Sequence, residues 1–217
     1  MKIKICGLTN LEDALVAVEV GADLLGFNFY PGSPRYIEPD RCAQITDALS
    51  EQRVAAVLVG VFVNEPAEAI DRVLRECGLQ LAQLHGDESP ETLEALDGRA
   101  FKAIRPQSAG EAETAAQRFA HLGHSSGPAL LVDAYREGHY GGTGSVANWT
   151  IAKRLAVQVP ILLAGGLTPD NVRSAVEEVK PWGTDVASGV ESRPGQKDHK
   201  KLKAYVQAVR MYELELI

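Results

Sequence analysis

Short apolar runs recur along the chain, and each stops at a glycine, an asparagine or a charged residue. Lys2–Cys6, Leu24–Phe29, Val57–Val63, Leu81–Leu84, Phe101–Ile104, Leu130–Asp133, Ile161–Ala164 and Asp185–Ala187 read as strands. Most are apolar at successive positions, as parallel strands buried on both faces are. Helical patterns lie between them. Leu11–Val20 follows Thr9 and Asn10, with Glu12 and Asp13 three residues after each, a capping-box pattern. Pro66–Glu76, Ala109–Leu122 and Pro169–Val179 carry helical apolar spacing, two of them with proline at the first turn. Pro90–Leu96 reads as a short helix and His199–Leu214 as the last one. The alternation predicts an α/β fold, a single (β/α)8 TIM barrel over residues 1–217. A doubly wound open sheet is the structural alternative, which periodicity alone does not exclude.

Composition changes the picture mainly by exclusion. The 217 residues suffice for one sizeable core. A formal charge of −7 without a basic run argues against a nucleic-acid surface. No apolar stretch approaches the roughly 20 residues of a membrane span, and the start at Met1 is too short and mixed for a signal peptide. The three cysteines, Cys6, Cys42 and Cys77, are far apart and odd in number, so neither a disulfide framework nor a zinc site is expected, and the compartment is read as a reducing cytoplasm. Cys42 and Cys77 fall in helical stretches and are taken as structural. The histidines, His85, His121, His124, His139 and His199, are too scattered to form a metal set.

Two glycine-ended strands narrow the ligand. Leu162–Leu163–Ala164–Gly165–Gly166–Leu167 and Asp185–Val186–Ala187–Ser188–Gly189–Val190 each pass from an apolar strand into a turn. Glycine lets backbone N–H groups crowd around an oxyanion, and a following helix N-terminus adds positive potential. Near the end of a βα repeat, this is where a barrel grips phosphate. Gly165, Gly166, Ser188 and Gly189 are therefore phosphate candidates. Strand ends supply the remaining chemistry. Cys6 reads either as a small buried hydrophobe or as a base or nucleophile whose pKa would need lowering. Asp133 reads as a loop cap or as a general acid raised by a partly apolar site. Arg35 reads as a carboxylate fork or a solvated loop cation, Asp185 as a sugar-hydroxyl partner or a satisfied strand-end charge, and His85 as a structural or substrate-orienting imidazole. Ala134–Asn148, with Gly138, Gly141, Gly142 and Gly144, is the longest irregular stretch and reads as a cover over the site.

Several segments, in order along nearly the whole chain, resemble the phosphoribosylanthranilate isomerase family. They include Lys4-Ile5-Cys6-Gly7-Leu8-Thr9, Gly26-Phe27-Asn28-Phe29-Tyr30, Ser33-Pro34-Arg35-Tyr36-Ile37, Gln83-Leu84-His85-Gly86, Leu131-Val132-Asp133, Gly141-Gly142-Thr143-Gly144 and Asp185-Val186-Ala187-Ser188-Gly189-Val190-Glu191. The resemblance implies a (β/α)8 barrel that carries out a cofactor-free Amadori rearrangement in tryptophan biosynthesis, converting N-(5'-phosphoribosyl)anthranilate to 1-(2-carboxyphenylamino)-1-deoxyribulose 5-phosphate. It implies Cys6 as general base, Asp133 as general acid, Arg35 near the anthranilate, and a phosphate cradle that adds Gly144; His85 and Asp185 remain the substrate-contact candidates named above. It also implies a small phosphoribosyl substrate; the composition argues against a nucleic-acid or membrane partner, and the sequence leaves monomer and homodimer open. Ala147-Asn148-Trp149 departs from the family's usual Phe-Asp-Trp; asparagine still caps a helix, so the helix is expected to survive. The competing readings are a related sugar-phosphate isomerase and a sugar-phosphate-binding barrel without turnover.

Overall fold

β1 (Lys2–Cys6) hydrogen-bonds to β2 (Leu24–Asn28) on one side and β8 (Gly183–Val186) on the other, both parallel, so the sheet closes on itself. Between them around the barrel run β3 (Val57–Phe62), β4 (Leu81–Leu84), β5 (Ala100–Ile104), β6 (Leu130–Asp133) and β7 (Ile161–Ala164), in chain order. The connecting helices are α1 (Leu11–Glu19), α2 (Pro39–Glu51), α3 (Ala67–Glu76), α4 (Pro90–Ala95), α5 (Ala109–Phe119), α6 (Trp149–Ala156) and α7 (Val172–Val179), with α8 (His199–Leu214) closing the ring. The computed structural model describes residues 1–124, 127–133 and 149–215. The architecture is the expected (β/α)8 barrel, and closure through β1 and β8 excludes the open sheet.

The boundaries differ from the sequence expectation where local hydrogen bonds intervene. α7 starts at Val172 rather than Pro169 because Asn171 Oδ1 accepts from the Thr168 N–H and its amide donates to the Gly166 carbonyl, which ties the preceding residues into a loop. At α1 only Asn10 acts as the cap, accepting from the Asp13 N–H at 2.8 Å, while Thr9 Oγ1 donates to the Gly195 carbonyl. β8 begins two residues earlier than its apolar run, at Gly183, where a Cβ would lie 2.6 Å from the Lys2 carbonyl oxygen. A two-stranded hairpin, β9 (Glu191–Arg193) and β10 (Gln196–Lys197), follows β8 and was not anticipated. Cys42 lies inside α2 as expected, but Cys77 sits just past the end of α3 and donates its thiol to the Pro39 carbonyl.

Strand alternation divides the core in two. Outward residues such as Ile3, Ile5, Leu25, Phe27, Leu84 and Leu163 pack beneath the helices. Inward residues Leu24, Val59, Leu81, Phe101, Leu131 and Leu162 fill the barrel near its N-terminal end. Two residues further along the same faces the character changes, and Lys4, Gln83 and Asp185 are buried polar groups inside the barrel. The C-terminal rim of the barrel is therefore the polar end.

Candidate active site

At that rim Cys6 ends β1 and is buried, 8% exposed. Lys4, two residues earlier on the same inward face, is fully buried, and its ammonium lies 2.7 Å from Asp185 Oδ1. Asp185 stands directly beside Lys4 in the β8–β1 register, so its charge is met by a side chain rather than by backbone. The Lys4 ammonium and the Cys6 sulfur are neighbours against β2, lying 3.0 and 2.9 Å from where a Cβ on Gly26 would stand. Burial pushes the thiol above the ordinary cysteine value, and the Asp185 carboxylate adds to that, while the Lys4 and Lys197 cations oppose it. The lowered pKa that the sequence reading required of Cys6 is not what the ligand-free protein provides.

On the far side of the mouth, Asp133 ends β6 and is half-buried. Burial raises its pKa above the ordinary carboxylate value, partly offset by Arg105, whose Nε lies 3.4 Å from Oδ2. His85 Nε2 is 3.9 Å from the same oxygen. Burial pushes the imidazole down to about 3, so His85 is neutral near pH 7 and this approach is not an ion pair. His85 Nδ1 meets Gln83 Nε2 at 2.8 Å, which leaves the buried Nε2 unpartnered and directed toward Asp133. The Asp185 carboxylate acts on Cys6 and Asp133 alike, so the three groups share one electrostatic neighbourhood.

Arg35 is not a free loop cation. Its Nε and Nη2 donate to both carboxylate oxygens of Glu191, at 2.8 and 2.7 Å, a bidentate pair. This pairing raises the Arg35 pKa and makes the guanidinium a fixed cation at the rim. Its side chain also packs over Gly7, where a Cβ would lie 2.5 Å from Arg35 Cδ. Glu191 takes a second cation, Lys197, at 3.0 Å, and the Lys197 ammonium in turn donates to the carbonyls of Cys6 and Ala187 at 2.6 and 3.2 Å. The β9–β10 hairpin thus fixes the backbone at the ends of β1 and β8.

The expected phosphate residues lie beside one another after β7 and β8. Gly165 and Gly166 have φ of +94° and +65°, which strains any other residue. Ser188 and Gly189 open a 3₁₀ turn, and a Cβ on Gly189 would fall 1.9 Å from the Leu167 carbonyl oxygen, so glycine alone lets the two loops touch. Gly144 and the rest of Ala134–Asn148 lie outside the described residues, while α6 follows from Trp149 as expected. Among the described residues no three His, Cys, Asp or Glu side chains gather to hold a metal ion. Sequence reasoning passed over Lys4, Glu191 and Lys197. For Lys4 the signal was present, since a lysine inside an apolar strand, in phase with Cys6, has to face the barrel interior or the helix layer.

The family model described as N-(5'phosphoribosyl)anthranilate (PRA) isomerase matches residues 3–208. A curated N-(5'-phosphoribosyl)anthranilate isomerase of Geobacter sulfurreducens is 44% identical over 210 residues, 97% of this chain and 98% of the relative. The crystal structure of phosphoribosyl anthranilate isomerase from Thermotoga maritima has a TM-score of 0.86 at 38% identity, covering 97% of this chain and 99% of that one. A further isomerase structure, in complex with reduced 1-(o-carboxyphenylamino)-1-deoxyribulose 5-phosphate, has a TM-score of 0.82 at 36% identity and covers 97% of this chain and 99% of that one.

Proposed function

The chain belongs to the N-(5'-phosphoribosyl)anthranilate isomerase family, and from that premise we propose that Cys6 and Asp133 are the general base and general acid of its reaction. The enzyme isomerises N-(5'-phosphoribosyl)anthranilate in tryptophan biosynthesis. In the proposed sequence, Asp133 donates its proton to the ribose ring oxygen. The C1–O bond breaks as the anthranilate nitrogen lone pair forms a C1=N iminium. That cation acidifies the C2 hydrogen. The Cys6 thiolate takes this proton, and the C–H electron pair becomes the C1=C2 bond of an enolamine. Ketonisation at C2 with protonation at C1 completes the isomerisation, and return of the protons resets both groups. The electrons stay within the substrate, so the chemistry balances without a redox partner.

The observation that carries this assignment is the pairing of two inward groups, a thiol and a carboxyl, both pushed by burial toward their protonated forms at one barrel mouth. Asp133 needs that shift to act as an acid. Arg35, fixed by Glu191, supplies a cation for the anthranilate carboxylate, and His85 and Asp185 line the ribose side. Gly144, Gly165, Gly166, Ser188 and Gly189 bind the phosphate through backbone N–H groups and so hold a flexible substrate within reach of both proton transfers. We assign the work to one barrel domain over residues 1–217 acting in the cytoplasm, a reading supported by the biosynthetic family and by Cys6, Cys42 and Cys77 all being free.

The test is turnover of N-(5'-phosphoribosyl)anthranilate, followed by loss of anthranilate-type fluorescence, for wild type, Cys6→Ser and Asp133→Asn. Rapid wild-type turnover with both variants crippled and still binding the reduced product analogue is the expected result. A variant that keeps most of its turnover removes that residue from its role.

A further inference from the structure

Lys4 is a buried cation that the reaction scheme does not yet use. Strand alternation puts it on the same inward face of β1 as Cys6. Its ammonium is held 2.7 Å from Asp185 Oδ1, and it flanks Gly26 together with the Cys6 sulfur. Gly26 of β2 shapes the contact, since a Cβ there would lie 2.9 Å from Cys6 Sγ and 3.0 Å from Lys4 Nζ. The absence of a side chain at Gly26 is what lets both ammonium and sulfur lie against the neighbouring strand. No part of Lys4 reaches solvent. Dehydrating an ammonium costs several kcal/mol, and a well-packed apolar pair often serves stability equally well. A cation retained between the sulfur and a carboxylate therefore points to a role in the sulfur's charge state.

We propose that Lys4 is a positioning residue for the isomerisation, whose ammonium, shared between Asp185 and Cys6, stabilises and orients the Cys6 thiolate. The inference rests on the reading of Cys6 as the base. When the thiol loses its proton, the lysine already stands at the sulfur, so no water or side chain has to reorganise. When the thiol is protonated, Asp185 keeps the lysine in place. Four charged groups face Cys6 from the elements around it. They are Lys4 on its own strand, Asp185 from β8, Lys197 from β10 with its ammonium on the Cys6 carbonyl, and Arg35 from the loop after β2. Lys4 favours the thiolate more strongly than Asp185 disfavours it, and Lys197 contributes less than either.

The ordering gives a signed test that a packing role would not reproduce. The pH dependence of iodoacetamide alkylation would be measured in ligand-free protein at the Cys6 peptide, for wild type, Lys4→Met, Asp185→Asn and the double variant. The midpoint, not the absolute rate, reports thiolate formation, so changes in access drop out. Lys4→Met is expected to move the midpoint upward by about one pH unit or more. Asp185→Asn is expected to move it downward. The double variant, which leaves no unpaired charge and so survives if Lys4→Met fails to fold, is expected to stay above wild type. At pH 8, kcat/KM of Lys4→Met should fall about tenfold or more in step with its midpoint. Midpoints that coincide with wild type in both lysine variants would overturn the inference and leave Cys6 as the base. Midpoints that shift as stated while Cys6→Ser retains full turnover would overturn the reading of Cys6 instead.

Discussion

Two lysines, Lys4 in β1 and Lys102 in β5, are buried in apolar strands of one barrel and paired with carboxylates, yet their surroundings assign them opposite tasks. Lys4 points inward, where it meets Asp185 and the Cys6 thiol. Lys102 alternates with the inward Phe101 and Ala103, so it lies on the helix side, 6.0 Å from the Phe119 ring centroid of α5. Its ammonium donates to the carbonyls of Leu84, Gly86 and Ala103 at 3.2, 2.7 and 3.0 Å and pairs with Glu88 at 3.1 Å. Glu88 in turn accepts from the N–H groups of Asn64 and Gly86. Burial disfavours both ammonium groups. Asp185 and Cys6 outweigh it at Lys4, whose pKa rises, whereas Glu88 does not outweigh it at Lys102, whose pKa falls. Lys102 pins the loops after β3 and β4 through backbone groups. Lys4 stands between its carboxylate and a titratable sulfur. A buried ion pair is chemical or architectural according to what else its cation touches.

The contrast breaks most visibly in turnover. Asp133→Asn and Cys6→Ser should each lower kcat by about 10²–10⁴-fold, the range of a lost general acid or base, with little change in thermal stability. Steady-state kinetics beside calorimetry separates the two quantities. Lys102→Met should do the reverse, costing about 3–5 kcal/mol of stability by leaving Glu88 buried and unpaired. Adding Glu88→Gln should recover part of that loss in denaturant unfolding. Gly189→Ala, whose Cβ has to displace the Leu167 carbonyl, should cost about 1–3 kcal/mol and raise KM more than it lowers kcat. Arg35→Lys loses the fork and keeps the charge, so KM should rise roughly tenfold with kcat nearly intact. An unchanged KM would detach Arg35 from the substrate.

Much of this is legible in the sequence. The apolar runs and their spacing specify the barrel because a buried parallel strand has few other sequence patterns. Strand ends then mark where Cys6, Asp133 and His85 emerge, whereas Asp185 lies inside β8. The hairpin after β8 is hidden because Glu191-Ser192-Arg193 carries no apolar periodicity; it is held by Glu191 and Lys197 of its own two strands together with Arg35, 156 residues away from Glu191. The direction of the Cys6 shift was hidden for a related reason. A strand end beside glycine suggests exposure, whereas the thiol is buried beside Lys4 and Gly26. The full reach of Lys4 depends on the β8–β1 register, which only closure of the sheet sets.

The central claim is that the base is a buried thiol and the acid a half-buried carboxyl, each held toward its protonated form. Below the Asp133 pKa both groups carry protons and no base exists; above the Cys6 pKa both have lost them and no acid exists. Between those values one proton is shared and the productive arrangement is a constant fraction, so kcat/KM is level. The pH profile of kcat/KM for the wild-type enzyme tests this most directly. A plateau whose alkaline limb falls only above the ordinary thiol value of 9.0 is the predicted result. An alkaline limb clearly below that value would contradict the account, because the base would then be a thiol already primed as thiolate or another group altogether.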